Sequence, residues 1–532
     1  MGGAAALLGA SAEAQSPAKK STHAVAAPRP ANADGRPNIL MIMADQLRVD
    51  CVGAYGNKRI HTPHLDRIAR EGLRFENAYT SVPSCTPARS ALLTGLSPWK
   101  HGMLGMTKMA TKPYPVEKAH ALAQAGYYTT VVGKNHYYPI TNPHGYHHMI
   151  TDEHCSYAFH KRDNKPKMPQ SEEIRCDYES WFWSEMPDKD PHATGLGWND
   201  HGARPWVHPE ETHPTHWTGS TAVKFIEQYE REQPFFLKVS FIRPHSPYDP
   251  PKRLYDFYDK QGVPEAKAGA WAKKYEPRSW EGDDIWHGKL PPDQMRNARV
   301  GYYGSVTHVD EQIGRILVAL EERKMLDNTL ILFFSDHGDM LGDQNMWRKT
   351  YAYEQSAHIP MLMRPAASMQ LSAKGAAVRG MVEIRDVVPT LLDVAGAPIP
   401  ESIEGKSLLQ LVKSKGEGWR EWIDLEHNIC YDETNHWNAL TDGEWKYIFH
   451  AFDGHEQLFN LQNDPDELND LGADAARNAE LERWRGRMVA HLSERGEHWV
   501  KDGKLQVRKK GTMLGPNFPG YLEPEMVLKS LG

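Results

Sequence analysis

Cysteine is scarce, with five residues in a chain of 532. That is far too few for a scaffold held by disulfides, and an odd number invites one thiol with a task of its own. Long apolar runs are missing as well. No stretch approaches the ~20 residues that cross a bilayer, which excludes a membrane-embedded chain. Positive charge is not in excess: 62 Lys and Arg stand against 69 Asp and Glu, a formal net charge of -7. Nucleic acid is therefore a poor partner, and any anionic substrate has to be met by a few local cations. What remains, 40% hydrophobic and 25% charged residues, suits a globular protein with one large domain and a smaller one.

The first residues, MGGAAALLGASAEAQ, form a small apolar stretch ending in an Ala-rich patch, like the h-region and cleavage site of a signal peptide that lacks its basic start. A Pro-, Ala- and Lys-rich linker follows. Residues 1–36 thus read as a signal-like segment and linker, and the expected location is periplasmic or secreted. A disordered tail is the alternative. Cys155 and Cys176 share a polar, irregular region, and whether they pair is left open.

Further on, short apolar runs each end in polar residues that have no structural reason to be there. Residues 38–44 (NILMIMA) lead to Asp45 and Gln46, and 128–133 (YTTVVG) to Lys134 and His136. Residues 235–242 (FFLKVSFI) lead to Arg243, Pro244 and His245, and 330–335 (LILFFS) to Asp336, His337 and Gly338. These fit buried strands. Between them, Val306, Val309, Ile313, Ile316, Leu317 and Leu320 make one helical stripe over 306–325. The alternation predicts an α/β fold with a mostly parallel central sheet sandwiched by helices, in which ligands bind beyond the C-terminal strand ends. From Trp419 the texture changes to short polar strands and a helix over 479–495, so the main domain is expected at 37–418 and an α+β subdomain with a tail at 419–532.

The sharpest local feature is Cys85-Thr86-Pro87-Ala88-Arg89-Ser90-Ala91-Leu92-Leu93-Thr94-Gly95. Thr86 as a cap and Pro87 in the first turn predict a helix running to Gly95, with Cys85 at its positive end, where a nucleophile meets an anion favourably. An isolated cysteine there would ordinarily be a small buried hydrophobe. This stretch, however, resembles the signature of type I sulfatases, of the alkaline-phosphatase-like superfamily, and the resemblance continues in order from Pro37 to about Glu467.

The resemblance implies hydrolysis of sulfate esters by a formylglycine that a formylglycine-generating enzyme makes from Cys85. It implies a divalent cation, Ca²⁺ or alternatively Mg²⁺, held by Asp45, Gln46, the modified Cys85, Asp336 and His337; hard oxygen donors suit both ions. Gln46 stands where the family more often has Asp, and His337 adds a nitrogen. By the same resemblance Arg89 orients the formylglycine, Lys134 binds sulfate, and His136 helps to break down the covalent sulfate intermediate. His245 contacts sulfate and the leaving oxygen, and Lys349 neutralises both. Arg89, Lys134 and Lys349 then supply the local positive field that an acidic chain needs.

Substrate contacts are less marked. Arg48, Arg348 and His436 are candidates. So are Trp181, Trp183, Trp198, Trp206 and Trp217, which read equally well as core. The expected substrate is a sulfated small molecule or oligosaccharide, with the likeness pointing to bacterial polysaccharide or aryl sulfatases. Two rivals remain at this level: a phosphodiester or phosphonate monoester hydrolase of the same superfamily, and a carbohydrate-binding pseudoenzyme that is never modified.

Overall fold

The computed structural model describes residues 35–153, 176–282, 284–371, 374–429 and 431–519. The signal-like residues 1–34 and Cys155, with its possible link to Cys176, lie outside them. No helix among the described residues is long and apolar enough to cross a membrane.

Among the described residues eight strands form the main sheet: β1 (Asn38–Asp45), β2 (Leu73–Tyr79), β3 (Tyr128–Gly133), β4 (His148–Thr151), β5 (Phe235–Pro244), β6 (Thr329–Ser335), β7 (Met361–Arg364) and β8 (Ala376–Glu383). Their spatial order is β4-β3-β5-β1-β6-β7-β2-β8. All neighbours are parallel except β7, which runs against both β6 and β2. The four apolar runs of the sequence are β1, β3, β5 and β6, adjacent at the centre of the sheet.

Alternate residues of these strands enter two cores, as the two-residue period requires. Leu40, Ile42, Leu237, Val239, Ile331 and Phe333 meet α1 (Pro63–Glu71), α3 (Pro214–Gln228) and α4 (Pro292–Glu322) on one face. Ile39, Met41, Phe236, Leu330, Leu332 and Phe334 meet α2 (Cys85–Thr94) and α5 (Val387–Val394) on the other. The predicted sandwich is therefore present. Helix α4 has 31 residues and begins well before its apolar stripe. Its residues 298–305, ahead of the stripe, are buried on every side, and a helix turn without a solvent face shows no stripe.

Beyond Trp419, β9 (Ile423–His427), β10 (Trp437–Thr441), β11 (Trp445–His450) and β12 (Glu456–Asn460) form an antiparallel sheet in the order β12-β11-β10-β9. One face packs Leu440, Tyr447 and Leu458 on Trp484 and Met488 of α6 (Asn478–Leu492). The other packs Trp437, Ala439 and Ile448 against Met340, Met346 and Tyr353 of the main domain. Sheet and main domain thus share a core, just beside residues 346–350.

Candidate active site

The C-terminal ends of β3, β5, β1 and β6 deliver Lys134, His245, Asp45, and Asp336 with His337 to one place. The pairing of β1 with β5 shifts register between Ala44 and Asp45, and there the His245 N–H donates to the Asp45 carbonyl at 3.1 Å. Gly133, at φ +94, allows β3 to turn into Lys134; a Cβ there would lie 2.2 Å from the Ser240 carbonyl.

Helix α2 brings the other half. It opens at Cys85 with Ser84 in the cap position, two residues earlier than a Thr86 cap would place it. Neither hydroxyl caps: that of Ser84 bonds His427 Nε2 at 2.9 Å, and that of Thr86 donates to the Met106 sulfur. The unpaired N–H groups of the first turn thus stay beside residue 85. One turn later Arg89 points to the same side. Its Nη2 lies 3.0 Å from Asp45 Oδ2 and its Nε 2.9 Å from Asp336 Oδ2, with Nη1 donating to the Lys134 carbonyl.

Around Cys85 the charges alternate. Lys134 Nζ is 2.6 Å from Asp45 Oδ2, while Asp45 Oδ1 faces the Cys85 sulfur at 3.7 Å. His337 Nε2 lies 3.2 Å from the same sulfur. Burial opposes ionisation of Asp45, yet Lys134, His245, Arg89 and His337 outweigh it and hold the carboxyl well below its usual range. Burial and Asp45 push the Cys85 thiol up, but Lys349, Lys134 and His337 bring it well below a free thiol. Burial and the ammoniums of Lys349 and Lys134 depress His245 far below a free imidazole. Its Nδ1 sits 2.7 Å from the Ser246 carbonyl, so in neutral His245 the proton is on Nδ1 and Nε2 is bare.

Ligand atoms of Asp45, Cys85, Asp336 and His337 all lie within 4.8 Å of one another. Two anionic carboxylates and an imidazole that donates through Nδ1 to the Gly338 carbonyl at 2.9 Å make a donor set fit for a divalent cation. Gln46 flanks it, at φ +69. Its Oε1 accepts from Lys349 Nζ at 2.7 Å and its Nε2 donates to Asp339 Oδ2 at 2.6 Å.

The remaining candidates are placed differently. His136 is held by its backbone N–H against Glu153, and its described contacts do not reach the acidic cluster. The Arg48 guanidinium is engaged with Asp50, Asp343 and the carbonyls of Asp339 and Met340, which secures the loop after β6. Arg348 pairs with Asp284 and lies over the Tyr431 ring. His436 bonds the Arg508 carbonyl. Among the tryptophans, Trp206 and Trp217 are core with Trp181 and Trp183 packed on them. Trp198 instead stacks on His245 at 4.5 Å and 28°, with Lys134 Nζ 5.1 Å from its ring centre.

Sequence reasoning missed Asp339 and Ser84 with its partner His427, and it named Trp198 only among five tryptophans that read equally well as core. Asp339 carried a visible signal, an acid three residues beyond Asp336. The rest depend on which loops meet in space.

A model of the sulfatase family matches residues 37–397. The chain belongs to the sulfatase family. A second model, described as the C-terminal part of N-sulphoglucosamine sulphohydrolase, matches 342–494. This sulfatase is 39% identical over 473 residues to an arylsulfatase of Clostridium perfringens, covering 88% of this chain and 97% of that one. It is 29% identical over 481 residues to a choline-sulfatase of Rhizobium meliloti, covering 87% of each. In structure it resembles a phosphonate monoester hydrolase of Agrobacterium radiobacter, with TM-score 0.69 and 23% identity over 89% of this chain and 100% of that one. It also resembles a protein solved with its substrate D-glucosamine-2-N,6-O-disulfate, with TM-score 0.67 and 21% identity over 86% and 98% of the two chains. At these identities the structural likenesses speak for the fold. The family places the enzyme among type I sulfatases of the alkaline-phosphatase-like superfamily, which hydrolyse sulfate esters.

Proposed function

We propose that this sulfatase acts on a sulfated carbohydrate through a formylglycine derived from Cys85, after export and maturation by a formylglycine-generating enzyme. The observation that carries this reading is the position of Cys85, buried at the opening of α2 and facing Asp45, His337, Lys134 and Lys349 together. The Cys85 sulfur then stands in for the two hydroxyls of the hydrated aldehyde.

One hydroxyl attacks the sulfate sulfur and the bond from sulfur to the alcohol oxygen breaks. The second hydroxyl then gives up its proton, the bond from carbon to the sulfate oxygen breaks, sulfate leaves, and the restored aldehyde takes up water. Arg89 neutralises Asp45 and Asp336 and fixes the start of α2. Lys134 and Lys349 offset the charge of the sulfate. Asp45, Gln46, Asp336 and His337 would hold the cation, Ca²⁺ or Mg²⁺, whose chemistry is to make the attacking hydroxyl more acidic and to screen two anions from each other.

His245 enters as an acid only once bound sulfate offsets the two ammonium charges that keep it neutral; until then Lys349 is the proton source beside the leaving oxygen. His136 becomes the base for the second step if the loop held by Glu153 turns inward.

The reading is tested by comparing 4-nitrophenyl sulfate with 4-nitrophenyl phenylphosphonate, and then a panel of sulfated mono- and oligosaccharides. Preference for the sulfate ester and release of sulfate from a sugar support it. Preference for the phosphonate overturns it in favour of phosphoryl chemistry.

A further inference from the structure

Lys349 stands between two residues whose backbones are left-handed although neither is glycine. Arg348 has φ +65 and Thr350 has φ +84. For a β-branched residue such a conformation is an outlier, and it persists only where the surroundings over-determine it. The surroundings do so here. The Met340 N–H donates to the Arg348 carbonyl at 2.6 Å, and the Thr350 N–H donates to the Pro83 carbonyl at 2.8 Å.

Two further donors come from the start of the C-terminal sheet. The indole N–H of Trp437 reaches the Thr350 carbonyl at 2.8 Å, and the Asn435 amide reaches the Thr350 hydroxyl at 2.8 Å. Trp437 is 1% exposed and Thr350 is fully buried. The result of this arrangement is the position of one ammonium: Lys349 Nζ, 2.7 Å from Gln46 Oε1. A lysine has four rotatable bonds, so aiming its tip requires that its own backbone be fixed first.

We infer that Trp437 and Asn435 are positioning residues: the C-terminal sheet clamps the strained backbone at Thr350 and through it aims Lys349 at the sulfate ester. This rests on the reading that Lys349 serves the cleavage. No described hydrogen bond of either residue reaches the acidic cluster, but Trp437 also stacks on His427, the partner of Ser84, so the test has to separate that route from the one through Lys349.

The clean variant is Trp437→Phe, which keeps an aromatic ring in the core and removes the N–H; Asn435→Ala is the second, at a half-buried position, should the first fold poorly. Both are combined with Lys349→Met in a double-mutant cycle, with kcat and KM measured on an alkyl sulfate and on 4-nitrophenyl sulfate. We expect Lys349→Met to lower kcat, and Trp437→Phe to lower kcat on the alkyl sulfate by about 10- to 100-fold with KM little changed. In the Lys349→Met background Trp437→Phe should have no further effect. Equal slowing in both backgrounds overturns the proposal, because the indole then acts independently of the lysine. Full activity of Lys349→Met alone overturns it at its base, and that arm separates a failed reading of Lys349 from a failed clamp.

Discussion

The Nε2 of His337 lies 3.2 Å from the sulfur of Cys85, across 252 positions of sequence. The contact joins the end of β6 to the start of α2, and it places residue 85 directly against the groups fit to hold a cation. A sulfur at this position is a soft ligand beside hard carboxylate oxygens, whereas a hydrated aldehyde offers two hard oxygens. Active protein should therefore carry formylglycine at 85, seen as an aldehyde or its hydrate in the mass of the peptide spanning 85–89. Cys85→Ala should be inactive at unchanged melting temperature. Full turnover by protein whose residue 85 is an unmodified thiol is the outcome that sinks this.

Removal of the cation tests the acidic cluster. Asp336 accepts from Arg89 Nε and from the Gln46 and His337 N–H groups, so Asp336→Asn keeps the shape and removes the charge. Chelation, with loss of metal verified by elemental analysis, should abolish activity reversibly. Asp336→Asn should weaken metal binding by more than about 100-fold. Undiminished rates in verified metal-free enzyme would exclude a catalytic cation.

His245 is best judged by the leaving group. A sugar alcohol departs badly unless protonated, while a nitrophenolate leaves without help. If bound sulfate charges His245, His245→Ala should slow the sugar sulfate by ~10²–10⁴-fold and the nitrophenyl ester far less. Equal losses would assign His245 to sulfate binding and leave the proton to Lys349.

Acid stability carries its own signature. Burial lowers His101 to about 3, reinforced by Arg385, and its Nδ1 accepts from the Met103 N–H at 3.1 Å, which requires the neutral ring. His427 is lowered to about 3 by burial and by His337. An unfolded histidine titrates near 6.5, so between about 3 and 6.5 the unfolded chain binds the extra protons. Stability is then fully present above 6.5 and falls as the pH drops, by up to about 1.4 kcal/mol per unit for each such group. Urea midpoints from pH 7 to 4 should show this slope, and His101→Gln should flatten it. A slope unchanged in His101→Gln would mean that this ring is not held neutral.

How much of this was legible beforehand follows from the length scale of each feature. Four central strands, a helix running from beside residue 85 to Gly95 and the polar residues at the strand ends are written in short windows, because burial on both faces imposes continuous apolar runs and a strand end imposes a break. The family resemblance rests on those same windows. Asp45, Cys85, Asp336 and His337, named in advance, lie together for that reason.

Other assignments turned on packing. Arg48 reads as a free cation in sequence, yet the loop after β6 presents two carbonyls and Asp343 to it, and a buried guanidinium has to take such partners. Trp198 and Trp206 look alike in an aromatic-rich insertion; only the path of the chain puts one on His245 and the other in a core. His436 and Trp437 are neighbours at the point where β10 begins, yet the first bonds the Arg508 carbonyl and the second the Thr350 carbonyl. The sequence by itself determined the residue types of the candidate site and the strands that carry most of them, since both are local. Only the tertiary structure decided the protonation of His245 and the partners of each cation and of the loop bearing Lys349, because these depend on groups hundreds of residues away that meet once water is excluded.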